Sequence, residues 1–447
     1  MSKLFYAIVA NAMVASTINT FVWFAITFWV YLQTKSVIAT SVMAGVYTVT
    51  VAFSGFLLGS LVDRYQNKTV MTLSSLGSLV LYALAWIIFI STPSVVFTDP
   101  SSVLLWVFIV LALFGAIAGN LRGIALSTLV TILIPEEQRD RANGLVGSAN
   151  GVAFLVASIL SGIVIGFLGV FWMLAGAIGL TLLVLVHLWT LAMPKKEAAH
   201  PNAPPHSIDI RGSIRAIQLV PGLFGLIFFN TFNNFLSGVF MSLMDPYGLM
   251  LVSVQVWGIL WGFLSLGFIV GGLIVAKRGL GQDPLRTLFT SVIVTWTICI
   301  FFAIQSSIVL LTIGMFIWLC LAPVIEAAEQ TILQKVVPPE RQGRVFGFAQ
   351  SVEQAASPIT AFLIGPIAQL IFIPFMTTGA GVDLLGPWFG IGMDRGIALL
   401  FIVAGLIGLI ATLLAMRTYS YKTLAKSYRK QSEQDSMNRE QSVPSGA

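Results

Sequence analysis

Charge is what this chain lacks. Asp, Glu, Lys and Arg together make up 9% of its 447 residues, while 57% are hydrophobic. A soluble domain carries about 25% charged residues, so this chain cannot cover itself with a water-facing surface, and lipid is its natural solvent. Cysteine is nearly absent. Cys299 and Cys320 both fall in apolar runs without metal-ligand spacing and read as small buried hydrophobes. Histidine is as scarce, with His187 in an apolar run and His200 and His206 in a Pro-rich segment, and no metal is assigned to any of them. No G-x-x-x-x-G-K-[ST] segment occurs. That excludes an ATP-phosphate cradle, so no cofactor is expected, and energy has to come from an ion gradient or a partner. The clustered His, Ser or Cys with carboxylates that an intramembrane enzyme needs are missing too, so the chain is not read as an enzyme. No nucleic-acid partner is expected.

What is present is a series of long apolar runs. A membrane-crossing helix needs about 20 such residues. Candidates cover 4–33, 37–62, 69–92, 102–133, 142–166, 169–193, 218–244, 252–276, 287–306, 308–334, 345–373 and 396–417. Met-Ser-Lys is followed by 31 residues without a charge, too long for the apolar core of a cleaved signal, so the first run is expected to span. With these twelve spans, 21 of the 24 Lys and Arg fall on one side of the membrane; only Lys35, Arg122 and Arg395 do not. The positive-inside rule makes that side cytoplasmic, with both termini on it, in a cell (inner) membrane.

Residues 194–217 interrupt the pattern. Four prolines precede SIDIRGSIRAIQ, which reads as a cytoplasmic linker with an amphipathic piece on the inner leaflet. The expected organisation is a six-helix bundle over 1–193, this linker, a second bundle over 218–417, and a basic tail over 418–447 whose end is disordered. The halves are related. PEEQRDRANGLVGSANG (135–151) aligns without gaps to PPERQGRVFGFAQSVEQ (338–354), and the pair Gly55 and Gly59 scans with Gly267 and Gly271. Both pairs are G-x-x-x-G, a spacing that lets two helix backbones approach. Parallel six-helix repeats with a site between them are a transporter signature.

In that context GSLVDRYQNK (59–68), between the second and third spans, resembles the loop motif of the major facilitator superfamily. Gly59, Asp63, Arg64 and Lys68 take its positions, and Gln66 replaces its second Gly. The resemblance covers essentially the whole chain. It implies an all-α integral membrane protein, with twelve transmembrane helices in two six-helix pseudo-repeat bundles. TILIPEEQRDRANGL and VVPPERQGRVFGF look like the drug-exporter branch that includes macrolide efflux proteins and a siderophore exporter. One departure is ASILSGIVIG (157–166), which lacks the Pro of the antiporter signature, although Gly365-Pro366 occupies the equivalent place in the second half. The resemblance further implies a conformational latch. Gly59, Asp63, Arg64 and Lys68 would act with Arg141 and Arg344, Asp63 lying near the start of the eleventh helix.

Ionisable residues at membrane depth are costly and point to function. Glu326 lies nine residues before Lys335 and Glu353 nine after Arg344, so both are expected near the midplane. Glu329 shares a face with Glu326, and Arg122 sits in the fourth span. The repeat offset makes Arg122 nearly equivalent to Glu326, so the two are expected to face each other. Glu326 is expected to carry a coupling proton, with Glu353 second and Glu329 third, while Arg122 holds the deprotonated state. A buried ion pair that only fixes geometry is the structural alternative.

Polar stripes mark the first span (Asn11, Thr17, Asn19, Thr20) and the seventh (Asn230, Asn233, Asn234, Ser237). Amides facing lipid are expensive, so these faces point inward. Asn11, Asn19, Asn230, Asn233 and Asn234 are candidate cavity residues. Asp245-Pro246 is expected to end the seventh helix, and 374–395 to form a Gly-rich interfacial loop. The expected function is secondary active transport, a proton-coupled efflux of hydrophobic or amphiphilic molecules by a monomer in contact with membrane lipids. A lipid or siderophore exporter, or an uncoupled facilitator, is the other reading.

Overall fold

The computed structural model describes residues 3–134, 139–193, 217–218, 220–337 and 339–429. Every described secondary-structure element is helical. The first half holds α1 (Lys3–Thr34), α2 (Val37–Arg64), α3 (Asn67–Ser91), α4 (Val103–Ala118), α5 (Asn120–Leu133), α6 (Arg139–Phe167) and α7 (Gly169–Thr190). The second holds α8 (Leu223–Leu251), α9 (Val254–Arg278), α10 (Pro284–Phe301), α11 (Ile308–Val336), α12 (Pro339–Ile367) and α13 (Met393–Ala415). Helices α4 and α5 form one crossing interrupted at Gly119. Among the described residues, 11 helices are long and apolar enough to cross a membrane, and Val37–Val51 of α2 is a shorter apolar stretch. Helices suit lipid because each satisfies its own backbone. Hydroxyls follow the same logic, as where Thr17 donates to the Met13 carbonyl at 2.9 Å and Thr27 to that of Trp23 at 2.8 Å.

Local chemistry sets the boundaries. Gly169 adopts φ +81, a left-handed turn that separates α6 from α7 between the runs 142–166 and 169–193. Ser307 caps α11 by accepting from the Leu310 N–H, which places the break between the ninth and tenth crossings. Asp283 caps α10 in the same way, with Pro284 in its first turn.

Two expectations fail. α8 does not stop at Asp245-Pro246 but runs on to Leu251 with Pro246 inside it. The proline loses one backbone hydrogen bond, yet packing holds the next turn. The Asp245 carboxylate accepts from the indole N–H groups of Trp257 (2.9 Å) and Trp261 (2.8 Å), and Tyr247 is fully buried. The segment 374–395 is not an irregular loop. It contains short helices at Ile373–Thr377, Gly381–Leu384 and Gly386–Phe389, and Arg395 is buried at its end. Arg395 pairs with Asp394 at 3.0 Å, donates to the carbonyls of Ala303 and Ile304, and lies over the Phe389 ring. This explains one of the basic residues left outside the charge asymmetry.

The linker 194–216 and the tail from 430 lie outside the described residues; residues 419–429 are helical. The chain divides into two compact units. The first is Met1–Pro204, Met241–Ser265 and Ala361–Pro374; the second is Pro205–Phe240, Leu266–Thr360 and Phe375–Ala447. Within the first, α1 packs on α6 and α7, and α3 packs on α4 and α7. There Gly162 of α6 meets Gly258 of α9 so closely that a Cβ on Gly162 would lie 2.5 Å from the Val254 carbonyl oxygen. In the second, α10 packs on α11 and α13. The Gly267/Gly271 pair lets α9 approach α11, a Cβ on Gly271 falling 2.1 Å from the Cys320 carbonyl oxygen. The side chains around Gly55 and Gly59 lie outside the described residues.

Candidate functional site

The second unit encloses a cavity of about 490 Å³. Three helices bring to it polar residues at the same i, i+3, i+4 spacing. These are Asn230, Asn233 and Asn234 of α8, Glu326, Glu329 and Gln330 of α11, and Gln350, Glu353 and Gln354 of α12. Such a triplet occupies one helix face, so each helix turns its polar stripe inward. Trp296 of α10 and Trp318 of α11, with Ala322 and Ile325, supply the apolar wall, and among the described residues no Lys or Arg lines the space.

Second contacts fix the amides. Asn233 accepts from the Trp296 indole N–H at 2.7 Å and donates to the Phe229 carbonyl, which orients the tryptophan toward the cavity. Ser357 and Thr360 of α12 donate to the carbonyls of Asn234 and Phe235, tying α12 to α8. Glu353 is 8% exposed, and its carboxyl faces those of Glu329 and the amide of Asn230. Neither Glu353 Oε1 nor Asn230 Nδ2 has a well-aligned hydrogen-bond partner among the described residues. Glu326 is more exposed and stands beside Glu329. Pro323, inside α11 three residues before Glu326, removes a backbone bond next to this group.

The first unit has a cavity of about 460 Å³, lined by Ser16, Asn19 and Thr20 of α1, Tyr47 of α2, Asn150 of α6 and Arg122 of α5. Arg122 is 2% exposed. Its guanidinium donates to Asn11 Oδ1, Ser75 Oγ and the Met71 carbonyl. Asn11 in turn donates to the Val184 carbonyl at 2.9 Å and lies 2.9 Å from His187 Nδ1, which accepts from it. Asn19 accepts from the Tyr82 hydroxyl at 3.1 Å.

The expected site residues therefore fall into two sets. Glu326, Glu329, Glu353, Asn230, Asn233 and Asn234 gather around one cavity, while Arg122, Asn11 and Asn19 belong to the other unit. Within the first unit the described acceptors of Arg122 are neutral, because Asn11, Ser75 and Met71 lie within its reach on α1 and α3. Of the expected latch, the side chains of Gly59, Asp63, Arg64, Arg141 and Arg344 lie outside the described residues. Lys68 is described, and it donates to the carbonyls of Trp189 (3.0 Å) and Leu191 (2.7 Å), closing the C-terminal end of α7. Sequence reasoning missed Trp296, Trp318, Gln330, Gln350, Gln354, Ser75 and His187. The repeated i, i+3, i+4 polar triplet was the signal that could have found the glutamines.

The matches to known proteins agree with this architecture. Macrolide efflux protein A of Streptococcus pyogenes is 23% identical over 384 residues, covering 82% of this chain and 90% of that protein. The nucleoside transporter NupG superposes with a TM-score of 0.69 at 13% identity, covering 92% of this chain and 99% of the other. A bacterial homologue of the iron transporter ferroportin, in an inward-facing state, gives 0.68 at 13% identity over 94% and 100% of the two chains. At such identities the structures speak for the fold alone. The family model described as Major Facilitator Superfamily matches residues 8–361. With polar stripes turned inward on helices that cross a membrane, the chain belongs to the major facilitator superfamily of transporters.

Proposed function

We propose that the protein is a proton-coupled exporter of hydrophobic or amphiphilic small molecules, working by alternating access. The observation that carries this reading is the cavity of the second unit. Three carboxylates and two tryptophans share it, and no basic residue is among its described lining. Apolar walls with a few polar anchors suit an amphiphile, and carboxylates beside indole rings suit one that bears a positive charge. Glu353 and Glu329 face each other there. A proton between two such groups relieves their repulsion, and so does a bound cation, so proton and solute would exchange at one place. This ranks the Glu353–Glu329 pair ahead of Glu326 as the coupling group. The likeness to a macrolide efflux protein supports export as the direction.

The same reading places both termini in the cytoplasm of a cell that holds the protein in its inner membrane as a monomer, with the proton gradient as its energy source and no cofactor. Asp63 would act in a latch that steadies one state of the cycle. Glu353→Gln and wild type, each reconstituted in vesicles with an imposed proton gradient, provide the test. Transport of a lipophilic cation should follow the gradient in wild type, collapse with an uncoupler, and lose its pH dependence in Glu353→Gln. Wild-type transport that ignores the uncoupler would make the protein a facilitator. Full pH-dependent transport by the variant would remove Glu353 from the mechanism.

A further inference from the structure

Arg122 carries a full positive charge that no described residue of the first unit balances with a carboxylate. Buried charges are ordinarily paired, because an unpaired one forfeits its hydration. Arg122 is 2% exposed, yet each described acceptor it meets is neutral: an amide oxygen, a hydroxyl and a backbone carbonyl. Those three bonds use three of the five N–H donors of a guanidinium. The remaining two make no hydrogen bond to a described residue. Among the described residues no Asp or Glu lines the adjoining cavity, whose polar lining is Ser16, Asn19, Thr20, Tyr47 and Asn150. The chain also leaves room beside the charge. Crossing four is interrupted at Gly119, and Gly123 follows Arg122 on the cavity wall, where an added Cβ would meet nothing within 4 Å.

We infer that this cavity binds the carboxylate of a small amphiphilic acid, held by Arg122. Its two unused N–H groups and its charge supply what a carboxylate lacks after leaving water, since charge-assisted bonds to guanidinium are among the strong ones. A single arginine matches a single negative charge, and among the described lining residues there is no Lys or second Arg for a doubly charged phosphate. Ala12, Ala116, Leu126 and Val146 give an apolar surface for the rest of the molecule. Asn11 and Ser75 are positioning residues, because they hold the guanidinium without occupying all of it. This site lies wholly in the first unit and does not depend on the coupling assigned to Glu353.

Binding of radiolabelled benzoate to the purified full-length protein in detergent micelles, where no gradient exists, tests it. Saturable binding is expected, displaced by unlabelled benzoate but not by benzamide or inorganic phosphate, and at least tenfold weaker in Arg122→Gln. Should Arg122→Gln fail to fold, Gly123→Leu decides. It keeps the arginine but fills the open space beside it, and it should weaken binding to the same degree. Absence of saturable binding, equal displacement by benzamide, preference for phosphate, or native affinity in Gly123→Leu would each overturn the assignment.

Discussion

Two cavities of nearly equal volume, about 460 and 490 Å³, carry opposite charge. Among the described residues, one guanidinium in the first unit is held by neutral acceptors, and three carboxylates gather in the second without a base. The repeat that relates the two halves puts Arg122 next to the counterpart of Glu326, so a common register has been filled with opposite chemistry. Polar placement is what the two faces share. The sign of the charge is free to diverge, because either sign can be accommodated on an inward helix face once its neighbours are chosen for it.

Removing the contrast should have the largest effect. Gln350→Lys places an ammonium in the cavity beside Glu353, where it would form an ion pair and deny that carboxylate to proton and solute alike. Gradient-driven transport in vesicles should fall about a hundredfold, equal to about 2.7 kcal/mol on the barrier. Wild-type rates would mean that the base-free character of this cavity is incidental. Next comes Asn11→Leu in the other unit. It removes an acceptor from a buried guanidinium, a loss of about 1.5–3 kcal/mol for a hydrogen bond to a charged group. A clear drop in the thermal unfolding temperature is expected in micelles. An unchanged temperature would show that Arg122 finds another acceptor. Asn233→Leu is the milder counterpart in the second unit. It strands the indole N–H of Trp296, a neutral bond worth about 1 kcal/mol. Solute affinity should weaken about fivefold, and retention of full affinity would exclude an oriented Trp296 from recognition.

Much of this fold was legible because lipid makes it so. Twelve apolar runs announced the helices, 11 of which are long and apolar enough to cross among the described residues, and the capping residues Ser307 and Asp283 and the turn at Gly169 stood where the runs divide. The continuation of α8 through Pro246 was not legible. It depends on Trp257 and Trp261 reaching Asp245 from the following helix, a contact that no local rule contains. Half of the site followed from cost alone, since amides and carboxylates on apolar helices have to face inward. The partner of Arg122 could not be read in the same way. Equivalence in the repeat pointed to Glu326 and gave no sign of Asn11 and Ser75, the polar residues without charge that accept from Arg122 inside its own unit.

Lys68 offers the smallest and sharpest version of the comparison. The family motif casts it as part of a moving latch, while the structure gives it a static partner in the end of α7, through the carbonyls of Trp189 and Leu191. A cation at a helix C-terminus contributes about 0.3–1 kcal/mol where it is exposed. Lys68→Met should therefore lower the thermal unfolding temperature slightly. If capping is its whole role, transport per folded molecule should stay at the wild-type level. A variant with native stability but slow transport would reverse that conclusion, because a cap lost without a stability change cannot have been holding α7. Lys68→Arg separates the two roles further. It restores the charge near the carbonyls, so it should recover stability, and any transport defect that survives belongs to the latch.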